Sequence, residues 1–445
     1  MEKIENLCYD EENWKKEKTM VKLELPYGKT SLPLSLEENR VRGVLHSGIE
    51  QYVPAASPEE LVRRALEAPV GCETLEQLSK GKKKVTIIAS DHTRPVPSRL
   101  LMPPMLEAIR KGNPDAEITI LIATGCHRET TRQELTDKFG PEIVKRETIV
   151  VHDCDEEENL CLLGTLPSGG KCRISRYAAQ ADLLIAEGFI EPHFFAGYSG
   201  GRKAVLPGVA ARETVLANHC SEFIAHPAAR AGSLEANPIH QDMLWAAEKA
   251  GLQFILNVVL DADKKPIYAV AGDPRQAHAA GCAFLENLCG VPQTPADIVV
   301  TTNGGYPLDQ NIYQAVKGMT AAEATVNPGG VIIMLAKSGD GHGGDAFCKE
   351  LMASADMHAL MAGIRSRGRG ETLPDQWQAQ IMIRVLQKAR VIYISEAPDA
   401  LVRALHMVPA HSLEEAMHLA EEILGNPQAS VTVIPDGVSV IVLPK

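Results

Sequence analysis

The chain has 445 residues and a formal net charge of −12, from 45 Lys and Arg against 57 Asp and Glu. This length allows two or three domains that each bury a core, and 45% hydrophobic with 23% charged residues excludes broad disorder. The acidic balance argues against binding to nucleic acid or to anionic membranes, although local Arg, Lys and backbone N–H groups can still hold small anions.

The N-terminal segment lacks the apolar core of a secretory signal, and no apolar run is long enough for a membrane span. Ten cysteines, the first at Cys8, include no CxxC pair, so neither a zinc ribbon nor a thioredoxin motif is predicted. We therefore expect a cytoplasmic protein with reduced thiols, most of them small buried hydrophobes.

Apolar runs bounded by turn residues predict β-strands along the chain. They cover 85–89, 118–123, 148–152, 183–186, 254–260, 298–301, 331–335, 391–394, 431–434 and 438–442. Helical spacing of apolar residues lies between many of them, at 59–68, 101–111, 274–287 and 413–424. This alternation predicts an α/β fold with mostly parallel sheets. A new strand after 290–295 predicts two domains, 1–290 and 291–445, and the final two strands could pack on either.

The first chemical signal is the segment ASDHTRPVPSRLL at 89–101, where a predicted strand runs into a polar loop. The carboxyl ends of strands line the ligand crevice in open α/β sheets. Asp91, Thr93 and Arg94 are therefore candidates to orient a phosphate or carboxylate, since Arg can bind two oxygens at once. A helix-capping loop with a surface salt bridge is the alternative interpretation.

A second strand ends in a glycine-containing loop, in IATGCHRETT at 122–131. His127 in this loop is a candidate general acid or base, because imidazole titrates near neutral pH. A structural or merely exposed histidine is the alternative.

The densest signal is EGFIEPHFFAGYSGGRKAVLPGVA at 187–210. Its glycines let a backbone approach a phosphate, although the P-loop pattern is absent. Lys203 stands beside Arg202, an arrangement that can lower the pKa of a lysine and make it nucleophilic. A glycine-rich turn with solvated basic residues is the alternative, and the presence of His193 favours a function. His219, in ETVLANHC, is either a metal ligand or a structural histidine.

A fourth segment, NGGYPLDQNIYQAVKGM at 303–319, follows another predicted strand. Gln314 and Lys317 project from one face of a predicted helix, toward either a ligand or water. Asp309 is expected to cap that helix. Trp377, in PDQWQAQ, is by its pattern more typical of a core residue than of a ligand contact.

The chain resembles the nickel-pincer-nucleotide lactate racemase family through DHTRP, ATGCHR, EPHFFAGYSGGRKAVLPG, NHC and GYPLDQNIYQAVKG, in this order and spacing. The resemblance runs from about residue 40 to the C-terminus. It implies an active site in the cleft between two α/β domains. Domain 1–290 would carry the cofactor lysine and catalytic histidines, and domain 291–445 would close over the site. The implied cofactor is a pyridinium-3-thioamide-5-thiocarboxylate mononucleotide, which holds Ni(II) by two sulfurs and a ring carbon.

The resemblance also implies a role for each candidate residue. Lys203 would join the cofactor through its thioamide, and His219 would be the fourth nickel ligand. His127 and His193 would be the acid/base pair, each acting as base for one enantiomer. The remaining implied residues are Arg94, Lys317, Gln314, Asp91 and Trp377 for the substrate and the catalytic groups, and Thr93, Gly197, Ser199, Gly200 and Gly201 for the cofactor.

The implied reaction is inversion of C2 of a 2-hydroxy acid by reversible hydride transfer. The substrate would be lactate, another short-chain acid or a sugar acid. The implied partners are this acid and the cofactor-maturation enzymes, with no nucleic acid and no membrane. A dehydrogenase is one alternative, although no GxGxxG follows a strand, and a non-catalytic hydroxy-acid-binding protein is another. Further polar contacts are expected from His92, His342 and Arg202.

Overall fold

The structure, a computed structural model, describes residues 19–444. Cys8 therefore lies outside the described residues, and the nine cysteines within them are free thiols. Between residues 19 and 444, no helix is both long and apolar enough to cross a bilayer.

Two six-stranded sheets with helices on their faces dominate the described chain. The strands are β1 (Met20–Tyr27), β2 (Thr30–Glu37), β3 (Val41–Val44), β4 (Lys84–Ser90), β5 (Glu117–Ala123), β6 (Thr148–Val151), β7 (Leu160–Thr165), β8 (Lys171–Ser175), β9 (Leu183–Phe189), β10 (Pro192–His193), β11 (Gly197–Tyr198), β12 (Leu252–Leu260), β13 (Pro266–Gly272), β14 (Gly290–Pro292), β15 (Ala296–Thr302), β16 (Val326–Leu335), β17 (Arg390–Ile394), β18 (Val408–Ala410), β19 (Val431–Ile434) and β20 (Ile441–Leu443).

The helices are α1 (Pro58–Glu67), α2 (Leu75–Leu78), α3 (Ser98–Gly112), α4 (Arg132–Phe139), α5 (Pro141–Arg146), α6 (Arg176–Ala179), α7 (Arg212–Asn218), α8 (Ser221–Ala225), α9 (Pro238–Lys249), α10 (Gln276–Cys289), α11 (Ile312–Thr325), α12 (Asp345–Met352), α13 (Met357–Ser366), α14 (Gln376–Lys388), α15 (Asp399–Ala404) and α16 (Leu413–Leu424).

The first sheet has the strand order β13–β12–β9–β4–β5–β6. Its neighbouring strands are parallel, except for the antiparallel pair of β12 and β13. Every residue of β9 is buried, as expected for a central strand covered on both faces. Leu101, Met105 and Ile109 recur every four residues on α3, and this stripe packs into the core on one face of the sheet.

The second sheet has the order β18–β17–β16–β15–β19–β3 and is parallel throughout. The hairpin of β1 and β2 packs on it, since Leu25 and Leu34 share a core with Val300 and Ile333. The N-terminal strands are thus held by residues far along the chain.

The predicted α/β class is confirmed, and nine of the ten predicted strands match an observed strand closely. The tenth is shorter than predicted, because β20 begins only at Ile441. Of the final strands, β19 joins the second sheet and β20 pairs with β14. The division at about residue 290 stays a prediction. β3 pairs with β19 across that division, so the segment before about residue 45 belongs with the second sheet.

The first sheet positions the candidate site. The loops after β4, β5 and β9 leave the same edge of the sheet, because these neighbouring strands are parallel. Helices α7, α11 and α14 carry the remaining candidate side chains of the site.

Candidate active site

A buried carboxylate holds the first candidate histidine. Oδ2 of Asp91 lies 2.7 Å from Nδ1 of His127, and its Oδ1 accepts from the hydroxyl of Thr93 at 2.7 Å. The Asp91 side chain is 1% exposed. Burial by itself raises the pKa of Asp91, but the hydrogen bonds from His127 and Thr93 outweigh it and lower the pKa. The ionised Asp91 therefore fixes the proton of His127 on Nδ1 and leaves its half-exposed Nε2 free as a base.

The local backbone explains this pairing. Ser90 and Ala123 are register partners at the ends of β4 and β5, so the two following loops begin side by side. Gly125 has a φ of +56°, and the turn it allows brings the N–H of His127 back to the carbonyl of Thr124 at 2.9 Å.

The second candidate histidine, His193, lies on the two-residue strand β10, opposite Gly197 of β11. Its ring stacks on Phe194 and meets the edge of Phe195 at 4.5 Å between centroids. Burial, followed by the nearby cations led by Lys203, holds the pKa of His193 well below its ordinary value. Its Nδ1 accepts from the backbone N–H of Ala196 at 3.2 Å, so the neutral ring carries its proton on Nε2. His127 and His193 thus present opposite tautomers to the site.

Lys203 is the candidate nucleophile at the end of the glycine-rich loop. Its backbone N–H donates to the carbonyl of Gly200 at 3.1 Å in a short 3-10 turn. Burial and then the charges of Arg202 and Arg94 hold the pKa of Lys203 well below its ordinary value, against an opposing effect of Glu191. This shift favours the neutral amine, which is the nucleophilic form of a lysine.

Backbone conformation and close packing account for the glycines of this loop. Gly197, Gly200 and Gly201 all have positive φ, and a Cβ on Gly197 would lie 2.3 Å from the carbonyl oxygen of Ser233. The Ser199 hydroxyl donates to the carbonyl of Phe189 and accepts from the N–H of Glu191. The loop geometry thus explains these four residues without a ligand, and their role toward a cofactor phosphate stays a prediction.

His219 is the C-cap residue that follows α7, and its imidazole has a form suited to a metal. Its Nδ1 lies 3.0 Å from the carbonyl oxygen of Val215, one turn earlier, so Nδ1 donates and Nε2 keeps a free lone pair. The residue is 5% exposed, and burial followed by the charge of Lys203 lowers its pKa to about 3. Its ring meets the edges of Phe195 and Trp377 at 5.1 Å and 5.0 Å. A neutral, oriented imidazole of this kind is what metal ligation requires.

The protein alone offers few further metal ligands here. Among the described residues, three potential ligand atoms converge only at Asp153, Cys154 and Asp155, a group that excludes His219. A metal on His219 would therefore need ligands from outside the chain. This requirement fits a cofactor that brings its own donor atoms.

Two residues after position 290 lie near these groups: Lys317, whose charge acts on His193 and Lys203, and Trp377, which meets His219. Gln314 lies in the first turn of α11, and burial lowers the pKa of Lys317, one turn later, to about 8, assisted by Arg94 and opposed by Glu191. Trp377 is partly buried, packs against the core and meets the ring of His219 edge-on, and its role at the active site stays a prediction.

The expected cap of this helix was wrong. Asn311, not Asp309, caps α11, because the Asn311 side chain accepts from the N–H of Gln314 at 2.9 Å. Asp309 instead accepts from the N–H groups of Gly28 and Lys337. It therefore ties the N-terminal hairpin to the second sheet.

Positive charge gathers around this site. Arg94 is exposed, and its charge lowers the pKa of His193, Lys203 and Lys317. A cavity of about 420 Å³ adjoins Lys317 and Phe194. The site can therefore attract a small anion although the chain as a whole is acidic.

Three further candidates are engaged elsewhere. Nδ1 of His92 lies 3.0 Å from the Thr130 hydroxyl, and Nδ1 of His342 accepts from the N–H of Gly344. Arg202 turns inward behind the loop and donates to the carbonyl of Ala196 at 2.8 Å. Sequence reasoning missed Glu191, Phe195 and the carbonyl of Val215. Glu191 and Phe195 flank His193 in the motif EPHFF, and Val215 lies one helical turn before His219. Their closeness in sequence to the two histidines could have identified them.

Two family models match the chain. One is described as the lactate racemase N-terminal domain and matches residues 27–232, and the other is the lactate racemase C-terminal domain and matches residues 291–442. Together they span most of the described residues, and the first includes His127, His193, Lys203 and His219.

Characterised relatives agree with these models over their whole lengths. The chain is 54% identical to a lactate racemase from Thermoanaerobacterium thermosaccharolyticum over 427 residues, which are 96% of this chain and 100% of that protein. It is 50% identical to a lactate racemase from Lactiplantibacillus plantarum over 424 residues, which are 95% of this chain and 100% of that protein.

Solved structures give the same result. The lactate racemase apoprotein from T. thermosaccharolyticum superposes with a TM-score of 0.92 at 54% identity, covering 95% of this chain and 100% of that chain. A Thermotoga maritima protein superposes with a TM-score of 0.63 at 19% identity, covering 88% of this chain and 100% of that chain. The second similarity shows a shared fold alone.

Proposed function

Since the chain belongs to the lactate racemase family and is an isomerase, we propose that it interconverts the enantiomers of lactate. The reaction moves a hydride away from C2 and returns it to the opposite face of the planar 2-keto acid. The observation that carries the proposal is the pair of nitrogen groups with lowered pKa values at one site: the Lys203 amine and the imidazole of His219, both beside the ring of Phe195.

The substrate carboxylate binds to the positive charge of Arg94 and Lys317. Lys317, with a pKa of about 8, keeps its charge at neutral pH and can also stabilise charge that develops on the C2 oxygen. Gln314 lies one turn before Lys317 on α11 and orients the hydroxyl group. The site thus draws on residues both before and after position 290, as expected for a cleft between two domains.

The two histidines transfer the proton of the substrate's C2 hydroxyl group. For one enantiomer, Nε2 of His127 takes the proton, and Asp91 stabilises the imidazolium that forms. His193 serves the other enantiomer. To act as a base at Nε2 it must first shift its proton to Nδ1 and give up the hydrogen bond from Ala196. The two histidines are therefore not equivalent before substrate binds.

Lys203 and His219 hold a nickel-pincer nucleotide in this proposal. In its neutral form the Lys203 amine could form the thioamide link, and the neutral imidazole of His219 could ligate Ni(II) beside soft sulfur donors. When bound, the cofactor supplies a centre that accepts a hydride and gives it back. Thr93 and the backbone at 197–201 would contact the cofactor, Trp377 would lie beside it through its contact with His219, and the maturation enzymes would deliver it.

The test uses the full chain produced together with the cofactor-maturation enzymes. Enantiopure L-lactate and D-lactate, with longer 2-hydroxy acids and aldonic acids beside them, are followed by chiral chromatography. We expect each lactate enantiomer to reach an equal mixture, and a mass increase on the peptide that contains Lys203. An active, loaded protein with unmodified Lys203 would overturn the attachment, and inversion only of another acid would overturn lactate as the substrate.

A further inference from the structure

One polar side chain lies in the buried middle of strand β12. The strand reads LQFILNVVL, and its residues 254–259 are all buried. Asn257 is the polar residue among them and is 1% exposed. A buried amide is costly unless it is hydrogen-bonded, so the partners of Asn257 indicate why it occupies this position.

The partners of Asn257 are backbone groups, and one of them belongs to the glycine-rich loop. Its Nδ2 donates to the carbonyl of Leu256 at 3.0 Å, and its Oδ1 accepts from the N–H of Gly201 at 2.8 Å. The second contact joins residues 56 positions apart and is buried. It therefore fastens the loop to the first sheet two residues before Lys203.

This hydrogen bond caps the turn that carries Lys203. Gly201 begins the 3-10 turn Gly201–Ala204. The first N–H groups of a helical turn have no acceptor within the turn, and the side chain of the preceding residue usually supplies one. Here the preceding residue is Gly200, which makes no side-chain cap. Asn257 supplies the missing acceptor from β12 instead.

Two glycines leave room for the Asn257 amide. A Cβ on Gly200 would lie 2.8 Å from its Oδ1, and a Cβ on Gly188 would lie 3.0 Å from its Nδ2. Gly188 is the register partner of Asn257 on β9 and has no positive φ. Its backbone conformation therefore does not require glycine, whereas the close approach of the amide does.

We propose that Asn257 is a positioning residue for Lys203: its amide oxygen holds the N–H of Gly201 and so fixes the turn that presents the Lys203 amine for attachment of the cofactor. Asn257 acts through this turn and not on the reacting atoms. The inference rests on the proposed function, in which Lys203 is the point of attachment, whereas the hydrogen bond from Gly201 does not.

The first part of the test uses the full-length apoprotein and hydrogen exchange followed by mass spectrometry. Asn257→Leu removes the acceptor, and Asn257→Ala removes it without added bulk, in case leucine prevents folding. We expect the Gly201 amide to exchange roughly tenfold faster in both, in line with the loss of one buried hydrogen bond. Asn257→Asp keeps an oxygen in place and should restore the protection. Gln253→Leu, on the same strand and bonded to the carbonyl of Asp182, is the matched control and should leave Gly201 unchanged.

The second part uses the same variants produced together with the cofactor-maturation enzymes. The fraction of folded protein with a mass increase on Lys203 should fall by a similar factor in Asn257→Leu and Asn257→Ala and recover in Asn257→Asp. The KM for lactate of the remaining loaded protein should stay that of the parent. A purely structural role would lower the yield of folded protein and leave its loaded fraction unchanged.

Two results would overturn the positioning role of Asn257: unchanged exchange at Gly201, or loading of folded Asn257→Leu and Asn257→Ala equal to that of the parent. An active parent without modification at Lys203 would overturn the proposed attachment and this inference with it. The parent protein thus distinguishes failure of the proposed function from failure of the role of Asn257.

Discussion

Oδ2 of Asp91 lies 2.7 Å from Nδ1 of His127, although the two residues are 36 positions apart in the chain. The neighbouring parallel strands β4 and β5 bring them together. The contact selects one tautomer of His127 and leaves Nε2 as the atom that can take a proton.

Asp91→Asn tests this contact. The amide removes the negative charge and can donate to Nδ1, which stabilises the tautomer with its proton on Nε2. We expect kcat to fall by about 10²- to 10⁴-fold, the usual contribution of a positioned acid or base, with a smaller change in KM. Steady-state kinetics of the loaded enzyme measures both. Thr93→Val removes the hydroxyl contacts to Asp91 and His127 but keeps the Asp91 carboxylate. It should cost less, and equal losses in the two variants would argue against the tautomer explanation.

Lys317 gives a pH dependence with a defined sign. A lysine loses its charge as the pH rises through its pKa, which is about 8 for this residue. We therefore expect kcat/KM for lactate to decline above pH 8 as the carboxylate loses its partner. Lys317→Arg keeps the charge at higher pH and should move the decline upward, even if its absolute rate is lower. An identical decline in the parent and in the arginine variant would show that another group titrates.

His219 affects acid stability. Its pKa is lowered to about 3 in the fold from an ordinary 6.5, so the unfolded chain binds one more proton between these values. Its contribution to stability is complete above pH 6.5 and is lost as the pH falls toward 3, at about 1.4 kcal/mol per pH unit. The free energy of unfolding of the apoprotein should therefore depend less steeply on pH in His219→Gln than in the parent. The exposed His418→Gln is the control, and parallel curves for His219→Gln and the parent would contradict the burial of a neutral His219.

Gly197→Ala tests whether loop geometry requires the glycine. With a φ of +80° and a Cβ position 2.3 Å from the Ser233 carbonyl oxygen, alanine forces both backbone strain and a clash. We expect the apoprotein to lose about 1–3 kcal/mol of stability, measured by chemical denaturation. Gly339→Ala, at a glycine with open space around it and no positive φ, should change stability little. If Gly197→Ala leaves the apoprotein unchanged, the glycine is needed for a ligand instead.

Much of the fold was accessible from sequence, because buried parallel strands read as continuous apolar runs such as those at 85–89 and 183–186. The pairing of β3 with β19 was not, since it depends on contacts between residues nearly 400 positions apart that no local pattern encodes. The same limit applies to Asp309, whose partner Gly28 belongs to the distant hairpin.

The candidate site, like the fold, could be predicted where local sequence patterns determine it and not where distant contacts do. Loop residues such as Asp91 and His127 could be predicted because they follow strand ends, and the family resemblance supplied their roles. The tautomers of His219 and His193 could not be predicted, because each is set by one hydrogen bond to the backbone. His219 donates to the carbonyl of Val215, and His193 accepts from the N–H of Ala196.

The most direct test of the central claim is the fate of the C2 hydrogen. L-lactate deuterated at C2 is racemised by the loaded enzyme in ordinary water, and the D-lactate formed is examined by mass spectrometry. Hydride transfer that leaves and returns to C2 predicts that the product retains its deuterium. Loss of the deuterium to solvent would contradict the account, because it would mean that C2 is deprotonated by a base.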